Sequence, residues 1–276
     1  MTIRLRRSVL YLPASNAKAI AKVRTLPCDV VILDLEDAVA PELKWLAREQ
    51  AVVALDEDGL GHREVVVRIN GLDTEWGAAD LAALARSRPD AVLVPKIARA
   101  ADFASYRAPL PERMPLWAMV ETAASLFRLD EIAGTERVGA LVMGTNDLAK
   151  ETGARPGPDR LPFVGALGLA VAAARAHGIA ILDGVFNDID DDDGFRAEAE
   201  QAVAFGFDGK TLIHPRQIDP CNAAFTPGAA EVAWARRVLA AFNEPENALK
   251  GAIRVDGKMV ERLHLHRARG VLAAAG

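Results

Sequence analysis

Val30-Val31-Ile32-Leu33-Asp34-Leu35-Glu36-Asp37 is the stretch whose reading decides the fold. Val30–Leu35 is apolar on both alternating faces apart from Asp34, and the run ends in acids. A strand apolar on both faces belongs in a parallel sheet covered on both sides. The segment after it, Pro41–Leu55, reads as a helix, with a proline near the start where a helix tolerates one. The same unit recurs along the chain. Val9–Leu12 precedes it as a strand; Glu64–Ile69, Ala91–Pro95, Leu116–Val120, Ala140–Met143, Ala180–Val185 and Lys210–Ile213 follow. Between and after them, Asn16–Leu26, Glu75–Ala85, Ala98–Tyr106, Ala123–Ile132, Pro162–His177, Asp192–Phe205 and Pro227–Phe242 read as helices. Eight strand–helix units in series predict a (β/α)8 TIM barrel of class α/β over residues 1–242. A doubly wound open sheet would more usually carry fewer strands and a Gly-rich first turn, and neither GxGxxG nor GxxxxGK[ST] occurs. Residues 243–276 exceed what a barrel needs: Asn243–Gly251 reads as a loop, Ala252–Lys258 as a short strand or turn, and Met259–Leu272 as a charged helix. This C-terminal helical extension packs on the barrel flank, or acts as a lid or arm over its own or a neighbouring subunit.

The composition agrees with a globular, soluble chain. Of 276 residues, 51% are hydrophobic, enough for a large core. Lys and Arg number 33 against 38 Asp and Glu, a net charge of −5 that speaks against a broad nucleic-acid-binding face. Cys28 and Cys221 lie far apart and form no CxxC, as expected of reduced thiols in a cytoplasmic protein. The apolar run behind Arg4, Arg6 and Arg7 stops at Pro13, too soon for a signal peptide, and no stretch approaches a membrane span.

Barrel chemistry sits at the C-terminal ends of the strands. Those ends read Pro13-Ala14-Ser15-Asn16, Asp34-Leu35-Glu36-Asp37, Arg68-Ile69-Asn70, Pro95-Lys96, Glu121-Thr122, Gly144-Thr145-Asn146-Asp147, Asp183-Gly184 and His214-Pro215. A purely structural barrel has no need of polar groups at almost every strand end. Glu121 and Asp147 end adjacent strands, and neighbouring carboxylates repel unless one is protonated or a cation lies between them. Hard oxygen ligands without a His or Cys pair favour Mg2+, with Mn2+ as the alternative, its shell completed by water and substrate. The other reading is an acid pair neutralised by Arg68 and Lys96. Arg68 suits bidentate contact with a substrate carboxylate. Gly144 and Thr145 read as a small tight loop whose backbone N–H groups face a second carboxylate oxygen. Ser15, Asn16 and Lys18 open the first helix, where an N-terminus and a cation meet a phosphate; the alternative is a plain N-cap.

With these segments in view, the chain resembles the HpcH/HpaI aldolase/citrate lyase family, and within it the citrate lyase β-subunit-like and malyl-CoA-lyase-like CoA-ester lyases. The resemblance is carried, in order, by Arg7-Ser8-Val9-Leu10-Tyr11-Leu12-Pro13, Asp34-Leu35-Glu36-Asp37-Ala38-Val39, Arg68-Ile69-Asn70, Pro95-Lys96, Glu121-Thr122, Gly144-Thr145-Asn146-Asp147-Leu148 and Gly206–Pro215. It implies that Glu121 and Asp147 are Mg2+ ligands and that Arg68 holds the keto acid or its hydroxyacyl precursor. It implies that Glu36 and Asp37 form a second acidic pair near the metal, acting through water and Lys96. The first loop, with Pro13, Ser15, Asn16 and Lys18, and the rim after the last strand match the region that holds the CoA chain. One departure stands out. Malyl-CoA-lyase-like members usually read Gly-Lys-Met-Ile-Asp near the C-terminus, with an Asp offered to a neighbouring subunit; here the segment is Gly257-Lys258-Met259-Val260-Glu261.

The resemblance implies Mg2+-dependent cleavage or formation of the C–C bond of a 3-hydroxyacyl-CoA such as malyl-, citramalyl- or citryl-CoA, giving a keto acid (glyoxylate or oxaloacetate) and an acyl-CoA. Glu261 or a metal-bound water is the expected acid–base group. Water attack on the thioester would make the same site a malyl-CoA thioesterase. A CoA-independent keto-acid aldolase is disfavoured, since that branch usually employs a His near the metal and none follows the second strand here. A subunit acting on a carrier-protein thioester is the remaining alternative. The family also implies a homotrimer or hexamer.

Overall fold

The computed structural model describes residues 4–56, 60–247 and 249–275. Eight parallel strands close in sequence order into a barrel: β1 (Ser8–Pro13), β2 (Val30–Asp34), β3 (Glu64–Arg68), β4 (Ala91–Val94), β5 (Leu116–Val120), β6 (Val138–Met143), β7 (Ala180–Asp183) and β8 (Gly209–Leu212), with β8 pairing back to β1. All eight fall on the runs expected from sequence, so the fold is the TIM barrel those runs predict. The intervening helices are α1 (Ala17–Val23), α2 (Lys44–Asp56), α3 (Gly77–Leu84), α4 (Phe103–Arg107), α5 (Ala123–Leu126), α6 (Leu129–Ala133), α7 (Thr145–Thr152), α8 (Val164–His177), α9 (Asp192–Phe205) and α10 (Ile218–Phe225).

Side chains alternate along each strand, so every second residue enters the barrel. Val9, Val30, Ile32, Val66, Ala91, Leu93, Trp117, Met119, Ala140, Val142 and Leu182 form the interior core, with Tyr11 and Ala180 packed against them. One step of the same alternation towards the C-terminal rim replaces this core with Asp34 after Ile32, Arg68 after Val66, Glu121 after Met119, Gly144 after Val142 and Gly184 after Leu182. The interior therefore changes from apolar to charged across one layer. Asp183 falls out of phase with this face. It points between the barrel wall and the helices, where Lys210 Nζ (2.9 Å), Arg160 Nη1 (2.8 Å) and, through Lys210, Glu198 of α9 form a buried ion cluster. Burial works against the Asp183 charge, but Lys210 and Arg160 outweigh it and hold the carboxyl below its ordinary range. Asp183 therefore belongs to the wall of the barrel, although the strand-end reading grouped it with the rim.

The chain separates into two compact units, one of Arg6–Asn222 and one in which the segment from Ala223 onward is grouped with Arg4 and Leu5. In the second unit α11 (Ala229–Asn243) packs with α12 (Leu263–Ala275) and with a hairpin of β9 (Ala252–Val255) and β10 (Lys258–Glu261), so this grouping takes in the helix that the sequence reading places last in the barrel. Ala235, Val238, Phe242, Ile253, Val255, Val260, Ala268 and Val271 give this unit its own core. The hairpin replaces the first turn of the helix expected from Met259. Asp256 (φ 51°) and Gly257 (φ 79°) both adopt the left-handed conformation of a two-residue hairpin turn. No described helix is long and apolar enough to cross a membrane.

Candidate active site

The charged layer is built around Arg68. Its Nε and Nη2 donate to Asp34 Oδ1 and Oδ2, each at 2.7 Å, and its ring-facing side lies 4.8 Å from the centre of the Tyr11 ring. Asp34 also accepts from the backbone N–H groups of Glu36 (2.9 Å) and Ala38 (3.1 Å), so this carboxylate folds the β2–α2 turn as well as fixing the arginine. Arg68 Nη1 lies 3.0 Å from Glu36 Oε2 and 3.7 Å from Asp37 Oδ2. The fork that the sequence reading assigned to a substrate carboxylate is thus occupied by Asp34, and the Nη1 edge faces the mouth. Lys44 supports the turn from behind: its buried ammonium donates to Leu35 O (2.8 Å), Glu36 O (2.7 Å) and Asn70 Oδ1 (2.7 Å).

Glu121 stands at the end of β5, 1% exposed. Its Oε1 accepts the backbone N–H of Lys96 at 2.7 Å. Lys96 presents that N–H from a left-handed conformation (φ 53°), a strained choice for a lysine, while its Nζ lies 3.2 Å from Glu36 Oε1. Gly144 closes on the other side. A Cβ there would sit 2.4 Å from Glu121 Cβ and 2.7 Å from Glu121 Oε2, so only glycine leaves that oxygen its space. Asp147 lies in the first turn of α7, and the segment read as a tight loop is the start of this helix, with Gly144 as its N-cap. An acid in a first helical turn is favoured by the helix dipole. Glu121 and Asp147 line one cleft of 330 Å³ with Lys96, Thr122, Lys150 and Glu151.

The electrostatics leave Glu121 to hold either a proton or a cation. Burial, followed by the charge of Glu36, pushes the Glu121 carboxyl up to about 8, with Asp147 adding to the rise. Burial also raises Glu36, further lifted by Asp37 and Asp34 and opposed by Arg68 and Lys96. Five carboxylates (Asp34, Glu36, Asp37, Glu121, Asp147) thus share a mouth in which Arg68 and Lys96 are the ion-pair partners. Glu36 Oε2 is buried and makes no hydrogen bond, its charge being met by the ion pair with Arg68 Nη1 at 3.0 Å. Among the described residues no three His, Cys, Asp or Glu side chains converge as a complete metal cage. Two hard carboxylates beside open space fit Mg2+, which keeps water and substrate in its shell, and the spare Glu121 oxygen opposite Gly144 fits that role.

The structure therefore brings together Glu36, Asp37, Arg68, Lys96, Glu121, Gly144 and Asp147. Thr145 opens α7 beside them, its hydroxyl 2.7 Å from where a Cβ on Gly184 would stand. Pro13 ends β1 opposite Asp34 in register. Asn16 caps α1, its Oδ1 accepting from Ala19 N at 3.1 Å, and Lys18 is exposed on that helix, with Ser15 half-buried before it. Glu261 belongs to the C-terminal unit, at the end of β10, where its backbone N–H donates to His264 Nδ1 at 3.0 Å. Sequence reasoning assigned no role to Tyr11, Asp34 or Lys44. For Tyr11 and Asp34 the signal was present: the two-residue alternation carries Val9 to Tyr11 and Ile32 to Asp34 on the inward face.

Three similarities bear on this site. A (3S)-malyl-CoA thioesterase of Cereibacter sphaeroides is 52% identical over 269 residues, covering 98% of this chain and 94% of that protein. An L-malyl-CoA/β-methylmalyl-CoA lyase of Rhodobacter capsulatus is 33% identical over 302 residues, covering 99% and 95%. The crystal structure of protein CitE from Mycobacterium tuberculosis, in complex with magnesium, acetoacetate and coenzyme A, superposes with a TM-score of 0.82 at 34% identity, covering 99% of this chain and 100% of that one. The family model for HpcH/HpaI aldolase/citrate lyase matches residues 7–215, a span that contains all eight barrel strands and every charged group of the mouth, and the chain belongs to that family of enzymes.

Proposed function

We propose that the protein hydrolyses a malyl-CoA-type thioester, releasing the free 2-hydroxy acid and CoA, with Mg2+ held by Glu121 and Asp147. The observation that favours hydrolysis is the difference in likeness: 52% identity to a (3S)-malyl-CoA thioesterase against 33% to a malyl-CoA/β-methylmalyl-CoA lyase, each along nearly the whole chain. The magnesium, acetoacetate and coenzyme A of the CitE complex support the same ligand classes here. A bound Mg2+ supplies positive charge that orients the hydroxy-acid end and stabilises negative charge developing on oxygen. The chain's own groups do the rest. Arg68 Nη1, shared with Glu36, is the edge offered to the acid's carboxylate while Asp34 fixes the guanidinium. Lys96 holds Glu121 in place through its backbone N–H and Glu36 through its ammonium. A water delivered at the mouth attacks the thioester carbon and gives up a proton, the C–S bond breaks to leave the new carboxyl on the hydroxy acid, and the departing CoA thiolate takes up that proton.

Lysis is the second reading, favoured by the lyase relative and by the family's name. It breaks the bond between the hydroxyl-bearing carbon and the neighbouring methylene, giving glyoxylate and acetyl-CoA from malyl-CoA. The two readings separate by products. Protein incubated with Mg2+ and (3S)-malyl-CoA, followed by mass spectrometry, should give free CoA and malate, with Glu121→Ala and Asp147→Ala inactive. Acetyl-CoA with glyoxylate would replace hydrolysis by lysis. Loss of neither activity in the two variants would remove Glu121 and Asp147 from the reaction.

A further inference from the structure

We propose that the Tyr11 hydroxyl is a direct hydrogen-bond donor to the 2-hydroxy-acid end of the substrate, forming the floor on which that end rests. The proposal deepens the reading above and rests on it. Tyr11 belongs to the last interior layer before the charged one and is the polar residue packed on that apolar core. Its ring spans from β1 towards β5 under Arg68, whose guanidinium lies 4.8 Å above the ring centre. The hydroxyl ends 3.5 Å from Met119 Sδ. The methyl of the same Met119 is 3.0 Å from where a Cβ on Gly144 would stand, and Glu121 Oε2 is 2.7 Å from that point. The phenol thus reaches the side chain of Met119, whose methyl borders the gap that Gly144 leaves beside Glu121.

A thioether is a weak acceptor, and a buried tyrosine hydroxyl ordinarily finds a good one. The Tyr11 proton therefore lacks a strong partner in the protein alone. Burial, with the charges of Asp34, Glu121 and Glu36, raises the phenol above its ordinary range against the pull of Arg68, so it remains a neutral donor through the working pH range. A donor of this kind can meet a hydroxyl or carboxylate oxygen without adding charge to a mouth already rich in charges. The rest of the side chain has a separate task, since the ring packs on the core and stacks against Arg68.

Tyr11→Phe separates the two tasks, because it keeps the ring and removes only the oxygen. Wild type and Tyr11→Phe would be compared with Mg2+ and (3S)-malyl-CoA, and also by calorimetric binding of (S)-malate in the presence of Mg2+. The expected result is an unchanged melting temperature and Mg2+ affinity. KM and the malate Kd should each rise about tenfold, with kcat within threefold, the loss typical of one hydrogen bond to a bound charged group. Equal KM and malate affinity in the two proteins would overturn the proposal and leave Tyr11 as packing. Wild-type protein that binds malate but turns over no malyl-CoA would sink the hydrolase and lyase readings, while the malate comparison would still decide on Tyr11. Wild-type protein that neither binds malate nor turns over malyl-CoA would overturn both.

Discussion

Glu121 is the residue whose environment has the largest consequence. An unfolded glutamate titrates near its ordinary range, around 4.5, whereas burial and Glu36 hold the folded group at about 8. Between those values the folded state binds more protons than the unfolded state, so stability falls as pH rises. The contribution is fully present below the ordinary range and lost as pH passes through the folded value. Glu121→Gln cannot ionise and escapes this loss. In metal-free protein the variant should match wild type near pH 4 and be the more stable by a few kcal/mol (about 1.4 per unit of pKa) at pH 9, as read by denaturant melts across the range. Parallel pH curves for the two proteins would refute the assignment. The residue scale also shows what a sequence conceals. The residue types at the strand ends identify Arg68, Glu121 and Asp147, but not that Arg68 already has two bonds to Asp34. Which acid an arginine engages depends on register, here Asp34 opposite Arg68 on paired strands, and register is a property of the closed sheet.

At the scale of elements, the junction of β5, β6 and α7 is held together by an absence. Gly144 has φ −104°, a conformation open to any residue, so its need for glycine is one of space. Gly144→Ala should fold into the same barrel but displace the Glu121 carboxylate. Turnover should fall by about 100-fold or more, the scale on which small misplacements of reacting groups act, with circular dichroism unchanged. Activity within threefold of wild type would show that Glu121 need not stand where it does. The strands were legible because a parallel barrel strand is buried on both faces and reads as a continuous apolar run. The α7 helix was not, because Leu148 is its one buried residue and no helical repeat of apolar positions appears. The α10 helix carries Pro220 within its first turn, which sequence reading takes as a break. The C-terminal hairpin was legible in half: Ala252–Lys258 reads as a short strand or turn, but the second strand beyond the Asp256-Gly257 turn reads as the start of a charged helix.

For the whole molecule, the excess of carboxylates at one barrel mouth means that a Mg2+ bound there, as proposed, would be part of the folded state's energetics. A ligand that binds only the folded form adds about 2.7 kcal/mol at one hundred times its Kd. For a domain of this size each kcal/mol raises the melting temperature by roughly 2–4 °C. Saturating Mg2+ at pH 8 should therefore raise the melting temperature of wild-type protein by about 5–10 °C. The same addition at pH 6 should give a smaller shift, because Mg2+ must then displace the proton that Glu121, with its carboxyl at about 8, still carries. Glu121→Ala and Asp147→Ala should each lose most of the shift. Lys150→Ala, which removes a cation from the same cleft, should keep it or enlarge it. Calorimetry at the two pH values decides the matter. A shift that survives in both carboxylate variants would place the cation elsewhere. A shift of equal size at pH 6 and pH 8 would mean that Glu121 gives up no proton when the metal binds, and the electrostatic account of the mouth would fail with it.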